Sequence, residues 1–255
     1  MHDDTNASLY INIDKQMAHC FAGCYSGSAI ELIAKVENID RFLALSKFLS
    51  GVCFSFSDIV PMHFVDITTS VGWELALNNE YLQSRNFTND SVILWKIEYN
   101  NIIRCLRIPV FTESNEHMGF VYRTLPSIFS MPKYLYSSGF AKKSVLFGIN
   151  LIQKPLCVVL VEGCFDAIWL HQNHIAALAI LGNHLSSEQF YKLLTISPIV
   201  KLCFDNDLAG NRATEQAFVL FKENSMQVSI VNLPKKYKDI QEVPANELLG
   251  VLYGN

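Results

Sequence analysis

Two apolar segments of the sequence end in pairs of carboxylates. KLCFDND carries Asp205 and Asp207, and CVVLVEGCFD carries Glu162 and Asp166. If strand geometry persists, Asp205 and Asp207 point the same way, and neighbouring strands can bring all four carboxylates together. Such a group repels strongly unless a cation joins it, and hard oxygen ligands select Mg²⁺ or Mn²⁺ rather than zinc. The structural alternative is that Asp207, which stands before LAGNRA, is a helix N-cap.

The second half of the chain has the regular pattern needed to position these carboxylates. Apolar strands alternate with helices, and Ser186 with Gln189 forms a capping-box sequence. Strands are predicted at 157–161, 176–181, 199–204 and 227–233, and helices at 165–172, from Ser186 through Leu194, and at 209–223. This order predicts an α/β fold with a parallel sheet, helices on both faces, and a site at the carboxyl ends of the strands.

The first half of the chain is less regular and predicts an α+β arrangement. We expect a short strand pair around Asn12–Gln16 and a helix from Ser28 to about Leu49, followed by a connector at 51–61. Further predicted elements are helices at 72–84 and 89–97 and strands at 102–111 and 118–125.

Composition and charge limit the class of protein. Half of the 255 residues are hydrophobic and 17% are charged, which favours a sizeable core over disorder. The net charge is −4, but residues 96–154 hold 8 basic and 3 acidic side chains, a bias that fits a polyanion-binding face or simply a solvated surface. Seven cysteines, an odd count, favour reduced thiols over a disulfide framework. With neither a membrane-span pattern nor a signal-peptide pattern, the sequence predicts a soluble, cytoplasmic protein.

The two acidic segments resemble a known family. VEGCFD followed by FDNDLAGNRA is similar to the Toprim domain, and more narrowly to that of DnaG-type bacterial and phage primases. KKYKDIQEV resembles the primase segment that carries another metal-binding Asp, which is Asp239 here, although Ile240 stands where Pro is usual. The resemblance implies that Glu162, Asp205, Asp207 and Asp239 bind Mg²⁺.

Segments upstream extend the resemblance in the same order as in primases. They are YLQSRNFTNDSVILWKI with Asn86 in place of the usual Gly, then LRIPVF, MGFVYR, PKYL and KKSVLFGI. By this resemblance Arg123, Lys133 and Lys143 contact template phosphates or the incoming nucleotide. The alternative for each is an ordinary surface charge.

The N-terminus resembles the second part of the primase zinc ribbon. His2, Cys20 and Cys24 match three of its ligands, but the first Cys falls before Met1 and the last pair is spaced by three residues. Because zinc needs four ligands, the site is expected to be incomplete, with zinc either lost or retained through His19 or an upstream residue. The implied domains are 1–50 for the partial ribbon and its helix, 51–154 for the N-terminal part of the catalytic core, and 155–255 for the Toprim domain.

The resemblance implies a DNA primase that copies single-stranded DNA into short RNA from ribonucleoside triphosphates. Glu162 would hold a second metal or act as a base, and Asp166 would support the cluster. No Gly-Lys dipeptide is present, so the sequence has no Walker A loop, and any replicative helicase would act in trans. A phage or plasmid origin fits this reading. The alternatives are a Toprim nuclease and a non-catalytic remnant that binds DNA or nucleotide.

Overall fold

The structure is a computed structural model that describes residues 9–12, 17–20, 26–40, 44, 72–101, 104–125, 133–137 and 139–254. Internal contacts divide the chain into two compact units. One comprises residues 1–73 and 135–138, and the other comprises residues 74–134 and 139–255. The division of the sequence into domains 1–50, 51–154 and 155–255 stays a prediction.

The described residues of the first unit include three short antiparallel strands and a helix. Strands β1 (Leu9–Asn12), β2 (Met17–Cys20) and β3 (Ser26–Ser28) pair in that order, which confirms the predicted strand pair. Helix α1 (Ala29–Glu37) begins at a capping box between Ser28 and Glu31.

The prediction that this helix runs to about Leu49 is wrong. Asn38 adopts a left-handed conformation with φ 53° and ends α1 one residue after Glu37. Asn is among the few residues that tolerate this conformation, and a helix cannot continue through it. The predicted connector at 51–61 lies outside the described residues.

The second unit begins with a small antiparallel sheet. Its strands β4, β5, β6 and β7 pair in chain order. The elements are β4 (Glu74–Leu75), α2 (Glu80–Ser84), α3 (Asn89–Leu94), β5 (Glu98–Asn100), β6 (Cys105–Phe111) and β7 (His117–Thr124). Of the next strand, β8 (Tyr134–Tyr136), only Tyr134 belongs to this unit. The helix predicted at 72–84 is therefore confined to Glu80–Ser84, because Asn79 caps the Leu82 N–H and the preceding residues form β4 and then a turn at 77–78.

A four-stranded parallel sheet follows, as the alternating pattern predicted. Its strand order is β10-β9-β11-β12, so the central strands β9 and β11 are neighbours. The elements are β9 (Cys157–Val161), α4 (Cys164–Gln172), β10 (Ala177–Ala179), α5 (Ser187–Ile196), β11 (Ile199–Leu202), α6 (Leu208–Glu223), β12 (Gln227–Ile230) and α7 (Leu248–Tyr253). Single helical turns lie at Lys142–Ser144, Ile149–Leu151 and Ile240–Glu242.

Both faces of the parallel sheet are covered. Leu160 and Leu202 point into a core that Phe190 of α5 and Phe221 of α6 complete. Val159 lies on the opposite face by strand alternation and is also buried, on the side to which α4 packs. Helix α6 has 16 residues, and no described helix is long and apolar enough to cross a membrane.

The position of the core predicts that substitutions on the buried and exposed sides of α6 differ in their effect on stability. Phe221 is fully buried and Val219 is 52% exposed. We expect Phe221→Ala to lower the free energy of unfolding by about 3–5 kcal/mol, because it removes buried apolar surface and leaves a cavity. Val219→Ala, the matched control, should change it by no more than about 0.5 kcal/mol. Urea denaturation of both variants measures the difference, and equal losses would contradict the assignment.

Candidate active site

The ends of β9 and β11 bring the first two carboxylates together. The strands are parallel neighbours with Leu202 opposite Leu160, so their carboxyl ends reach the same edge of the sheet. Glu162 follows β9 directly, and its Oε1 accepts the main-chain N–H of Asp205 at 3.1 Å. The two acidic segments that the sequence analysis singled out are thus joined by a hydrogen bond across the strand ends.

Gly163 and Asp166 form the turn from β9 into α4. Asp166 lies in the first turn of α4 and is 8% exposed. A Cβ placed on Gly163 would lie 2.7 Å from Asp166 Oδ2. The absence of a side chain at Gly163 therefore makes room for the buried carboxylate.

Asp207 is the N-cap of α6, which was the alternative to metal binding that its position before LAGNRA suggested. Its Oδ1 accepts the N–H groups of Ala209 and Gly210, both at 2.9 Å. Strand β11 ends at Leu202, so the period-two argument for Asp205 and Asp207 does not apply. The negative charge of Asp207 nevertheless raises the pKa of both Glu162 and Asp205, which places it beside the cluster.

Gly210 is a further residue that the site requires. A Cβ at this position would lie 2.1 Å from the carbonyl oxygen of Asp205 and 2.8 Å from Glu162 Oε1. Any side chain here would push α6 away from the strand ends. This glycine lies within LAGNRA, where the sequence pattern indicates no role for it, and the close packing of α6 identifies one.

Asp239 joins the cluster from a loop that follows β12. It caps the turn Ile240–Glu242, with Oδ1 accepting the Glu242 N–H at 3.1 Å, and is 9% exposed. Asn206 ties this loop to the end of β11, because its N–H donates to the Lys238 carbonyl at 2.7 Å. Electrostatic repulsion from Asp239 raises the pKa values of Asp166 and Asp205.

The cluster concentrates negative charge in a partly buried place. Burial first, and then the charge of Asp205, raises the pKa of Glu162 to about 7. Burial first, and then the charge of Asp239, raises the pKa of Asp205 to about 6. The pKa of Asp166 is raised well above its usual value, mainly by burial. A cation at this site would offset both the cost of burying the charged carboxylates and their mutual repulsion.

Lys133 supplies positive charge at the same place. Its side chain keeps access to solvent, yet its pKa is lowered, first by partial desolvation and then by the charges of Arg123 and Arg85. Its own charge lowers the pKa of Asp205. Lys133 is therefore among the basic residues that act on the carboxylate cluster.

Arg123 is buried in an aromatic cage. It is 7% exposed, and its guanidinium carbon lies 5.5 Å, 4.8 Å and 5.9 Å from the ring centroids of Tyr81, Tyr134 and Phe165. Its Nε donates to the Tyr81 hydroxyl at 3.0 Å, while Nη1 is buried and has no hydrogen-bond partner among the described residues. The guanidinium is thus enclosed rather than open to a ligand, and the phosphate contact predicted for Arg123 stays a prediction.

Lys143, unlike Arg123, has an exposed side chain. It lies on the turn Lys142–Ser144, and its carbonyl oxygen accepts the hydroxyl of Ser186, the N-cap of α5. The main chain of Lys143 thus binds the N-cap residue of α5. The nucleotide or template contact predicted for its side chain stays a prediction.

Arg85 is the functional candidate that the sequence analysis missed. It follows α2, and its positive charge lowers the pKa of Asp166. Asn86 directly after it has φ 62°, a left-handed conformation that Gly adopts freely and Asn tolerates. The available signal was the match of YLQSRN to a primase segment in which Gly is usual. Asn86 thus meets the conformational requirement of that position and lets the chain turn after Arg85.

The donor chemistry of the cluster fits a hard divalent cation. The candidate ligands are carboxylate oxygens, which suit Mg²⁺ or Mn²⁺. Among the described residues, no three His, Cys, Asp or Glu side chains are already arranged to hold a metal ion. The ligand set Glu162, Asp205, Asp207 and Asp239 is therefore a proposal. His2 and Cys24 of the predicted zinc site, and the side chain of Cys20, lie outside the described part of the chain.

Comparison with known proteins supports the resemblance to primases. The sequence pattern of the family described as Toprim-like matches residues 159–244. A DNA primase of Thermotoga maritima is 26% identical over 98% of this chain and 54% of its own length. A DNA primase of Enterococcus faecalis is 36% identical over 92% of this chain and 49% of its own length. The chain spans about half the length of these curated relatives.

Solved structures show the same fold. The RNA polymerase domain of Mycobacterium tuberculosis primase DnaG, in complex with double-stranded DNA, matches with a TM-score of 0.58 and 21% identity, over 68% of this chain and 71% of that one. A DnaG primase catalytic domain bound to single-stranded DNA matches with a TM-score of 0.55 and 20% identity, over 63% and 67%. The predicted resemblance is therefore confirmed: the chain is a relative of the DnaG-type DNA primases and carries a Toprim-like domain.

Proposed function

We propose that this chain is a primase-like nucleotidyltransferase that synthesises short RNA on a single-stranded DNA template. The observation that carries the proposal is the joining of Glu162 and Asp205 at the ends of β9 and β11, with further acidic and basic residues gathered at the same edge. The primase relatives and the DNA-bound neighbours support it. RNA synthesis for DNA replication also accords with the intracellular location expected from the sequence.

The acidic residues have distinct roles in the proposed mechanism. Bound Mg²⁺ or Mn²⁺ would supply charge neutralisation for the triphosphate and the leaving pyrophosphate. Asp205, Asp207 and Asp239 would hold the ion, and Asp207 can do so through Oδ2 because Oδ1 caps α6. Glu162, with a pKa of about 7, would help to hold a second metal or take the proton of the attacking 3′-hydroxyl.

The supporting residues position these groups. Asp166 is buried behind the cluster, and the positive charge of Arg85 would favour its ionised form. Arg85 and Lys133 would bind phosphate oxygens, as basic side chains commonly do. The basic segment 96–154 would follow the template backbone, so that binding weakens as salt rises. A zinc ion held through His2, Cys20 and Cys24 is a further part of the proposal, which rests on the resemblance of the N-terminal sequence to a zinc ribbon, and a replicative helicase would act in trans.

The first test is the loss of synthesis in Asp205→Ala. The parent protein should incorporate labelled ribonucleotides on single-stranded DNA when Mg²⁺ or Mn²⁺ is present, and the variant should fall to background because a metal ligand is lost. Glu215→Ala, which removes an exposed carboxylate two turns along α6, is the control and should retain synthesis.

Thermal unfolding separates catalysis from folding in the same variants. The pKa of Asp205 is raised, so its charged form costs stability near neutral pH. Asp205→Ala should therefore melt at the same temperature as the parent or higher. A parent protein that binds DNA or nucleotide without making RNA on any template would favour the non-catalytic alternative. DNA cleavage without nucleotides would favour the nuclease.

Metal binding should depend on pH in a defined window. Protons compete with the metal for carboxylates, and the pKa values of Asp205 and Glu162 are about 6 and about 7. Affinity for Mn²⁺, measured by calorimetry, should be weak near about pH 5, rise through pH 6 to 7 as both groups lose their protons, and level off near about pH 8. Glu162→Gln should flatten the upper part of this rise, whereas Glu215→Gln should leave it unchanged. A flat profile for the parent would contradict the assignment of these carboxylates as ligands.

A further inference from the structure

Gln241 holds both the side chain and the main chain of Arg85. Its Oε1 accepts Arg85 Nε at 2.7 Å and also accepts Nη2 of the same guanidinium. Its Nε2 donates to the main-chain carbonyl of Arg85 at 2.8 Å. Gln241 is 7% exposed, so these bonds form away from bulk water. One amide group therefore uses both its ends on one arginine that is 156 positions away in the sequence.

Aromatic residues also contact the guanidinium of Arg85. Arg85 Nη1 donates to the Tyr81 hydroxyl at 3.3 Å, and the guanidinium carbon lies 5.9 Å from the ring centroids of both Tyr81 and Phe165. A guanidinium has five N–H groups. Three of them are engaged with described residues, which leaves one on Nη1 and one on Nη2. Each terminal nitrogen therefore keeps one N–H that a carboxylate or phosphate oxygen can accept.

The main chain of Gln241 connects this arrangement to the carboxylates. Gln241 lies in the turn that Asp239 caps, and its main-chain N–H hydrogen-bonds to the Asp166 carboxylate. Trp169 of α4 secures the same turn by donating from Nε1 to the Val243 carbonyl at 3.1 Å. The position of Arg85 is therefore tied to that of the acidic cluster through a single residue.

The neutrality of the amide matters for the charge that Arg85 presents. A carboxylate at this position would form an ion pair with Arg85 and cancel much of its charge. An amide oxygen orients the guanidinium and leaves the full positive charge in place. We propose that Gln241 is a positioning residue that directs the free N–H pair of Arg85 towards a phosphate group bound at the carboxylate cluster. That the phosphate belongs to a ribonucleoside triphosphate rests on the proposed function.

Two substitutions separate orientation from charge. Gln241→Met keeps the length of the side chain and removes its hydrogen bonds, whereas Gln241→Glu keeps an acceptor and adds a negative charge. Gln216→Met, at an exposed position on α6, is the matched control. Thermal unfolding establishes that each variant is folded, and the remaining measurements compare folded proteins only.

The first measurement is spectroscopic and does not depend on turnover. An Arg85 Nε–H that is held by a hydrogen bond exchanges slowly with water and gives a resolved NMR signal, which Arg85→Lys assigns by removing it. Gln241→Met should abolish or broaden this signal, whereas Gln241→Glu and Gln216→Met should retain it. An unchanged Arg85 signal in Gln241→Met overturns the proposal.

The second measurement is binding of a fluorescent ribonucleoside triphosphate with Mg²⁺. Gln241→Met and Gln241→Glu should each weaken binding about tenfold, because orientation is lost in one and charge is cancelled in the other. Single-stranded DNA binding should change less than about twofold. In the RNA synthesis assay, KM for the triphosphate should rise more than kcat falls. Equal triphosphate affinities for the parent and both variants would overturn the proposal, as would parallel losses of nucleotide binding, DNA binding and thermal stability, which indicate a structural role alone.

The outcomes also distinguish this proposal from the proposed function. If the parent binds triphosphate but makes no RNA, the binding measurement still decides the role of Gln241. If the parent binds no triphosphate, the proposed function fails, and the Arg85 signal alone decides whether Gln241 positions Arg85. If Gln241→Met does not fold, Gln241→Glu decides: a retained signal with weaker triphosphate binding supports the proposal, and unchanged or tighter binding overturns it.

Discussion

The parallel pairing of β9 with β11 is the interaction on which the site depends. It places the residue after Val161 next to the segment after Leu202, so that Glu162 can accept the N–H of Asp205. Hydrophobic burial holds the pairing in place, because Leu160 and Leu202 belong to one core with residues of α5 and α6. Carboxylates that repel one another are thus kept together by a core that does not involve their charges.

Close packing at two glycines completes this arrangement. Gly163 leaves room for the buried carboxylate of Asp166, and Gly210 lets the first turn of α6 approach Asp205 and Glu162. In both cases steric space, rather than unusual backbone torsion, explains the glycine. The helix start at Asp207 then places an N-cap carboxylate beside the same strand ends, so one residue serves both the helix and the cluster.

The balance of charge at the site arises from residues far apart in the sequence. Arg85, Lys133 and Lys238 lower the pKa values of the carboxylates, while burial and the carboxylates themselves raise them. At Glu162 and Asp205, burial first and then repulsion by the neighbouring carboxylates outweigh the basic side chains, and the pKa values reach about 7 and about 6. A site with this residual repulsion is suited to a divalent cation, which fits the Toprim-like match and the primase relatives.

The sequence by itself determined the parallel sheet and the acidic strand ends, because apolar runs that alternate with helical segments, and helix-capping patterns, are local signals. The α5 capping box and the order of strands and helices in the second half were predicted from such signals and are present. Local signals failed where one residue decided the outcome, as at Asn38, which ends α1 early.

Only the tertiary structure decided which side chains meet. Three contacts show this. Arg123 is buried among aromatic rings, Gly210 packs against Asp205, and Gln241 hydrogen-bonds to Arg85. No local pattern encodes such contacts, because they depend on the packing of several elements at once. The sequence therefore specified the chemical groups and the strand ends that carry them, and close packing specified their environment, since burial and neighbouring charge exist only in the folded chain.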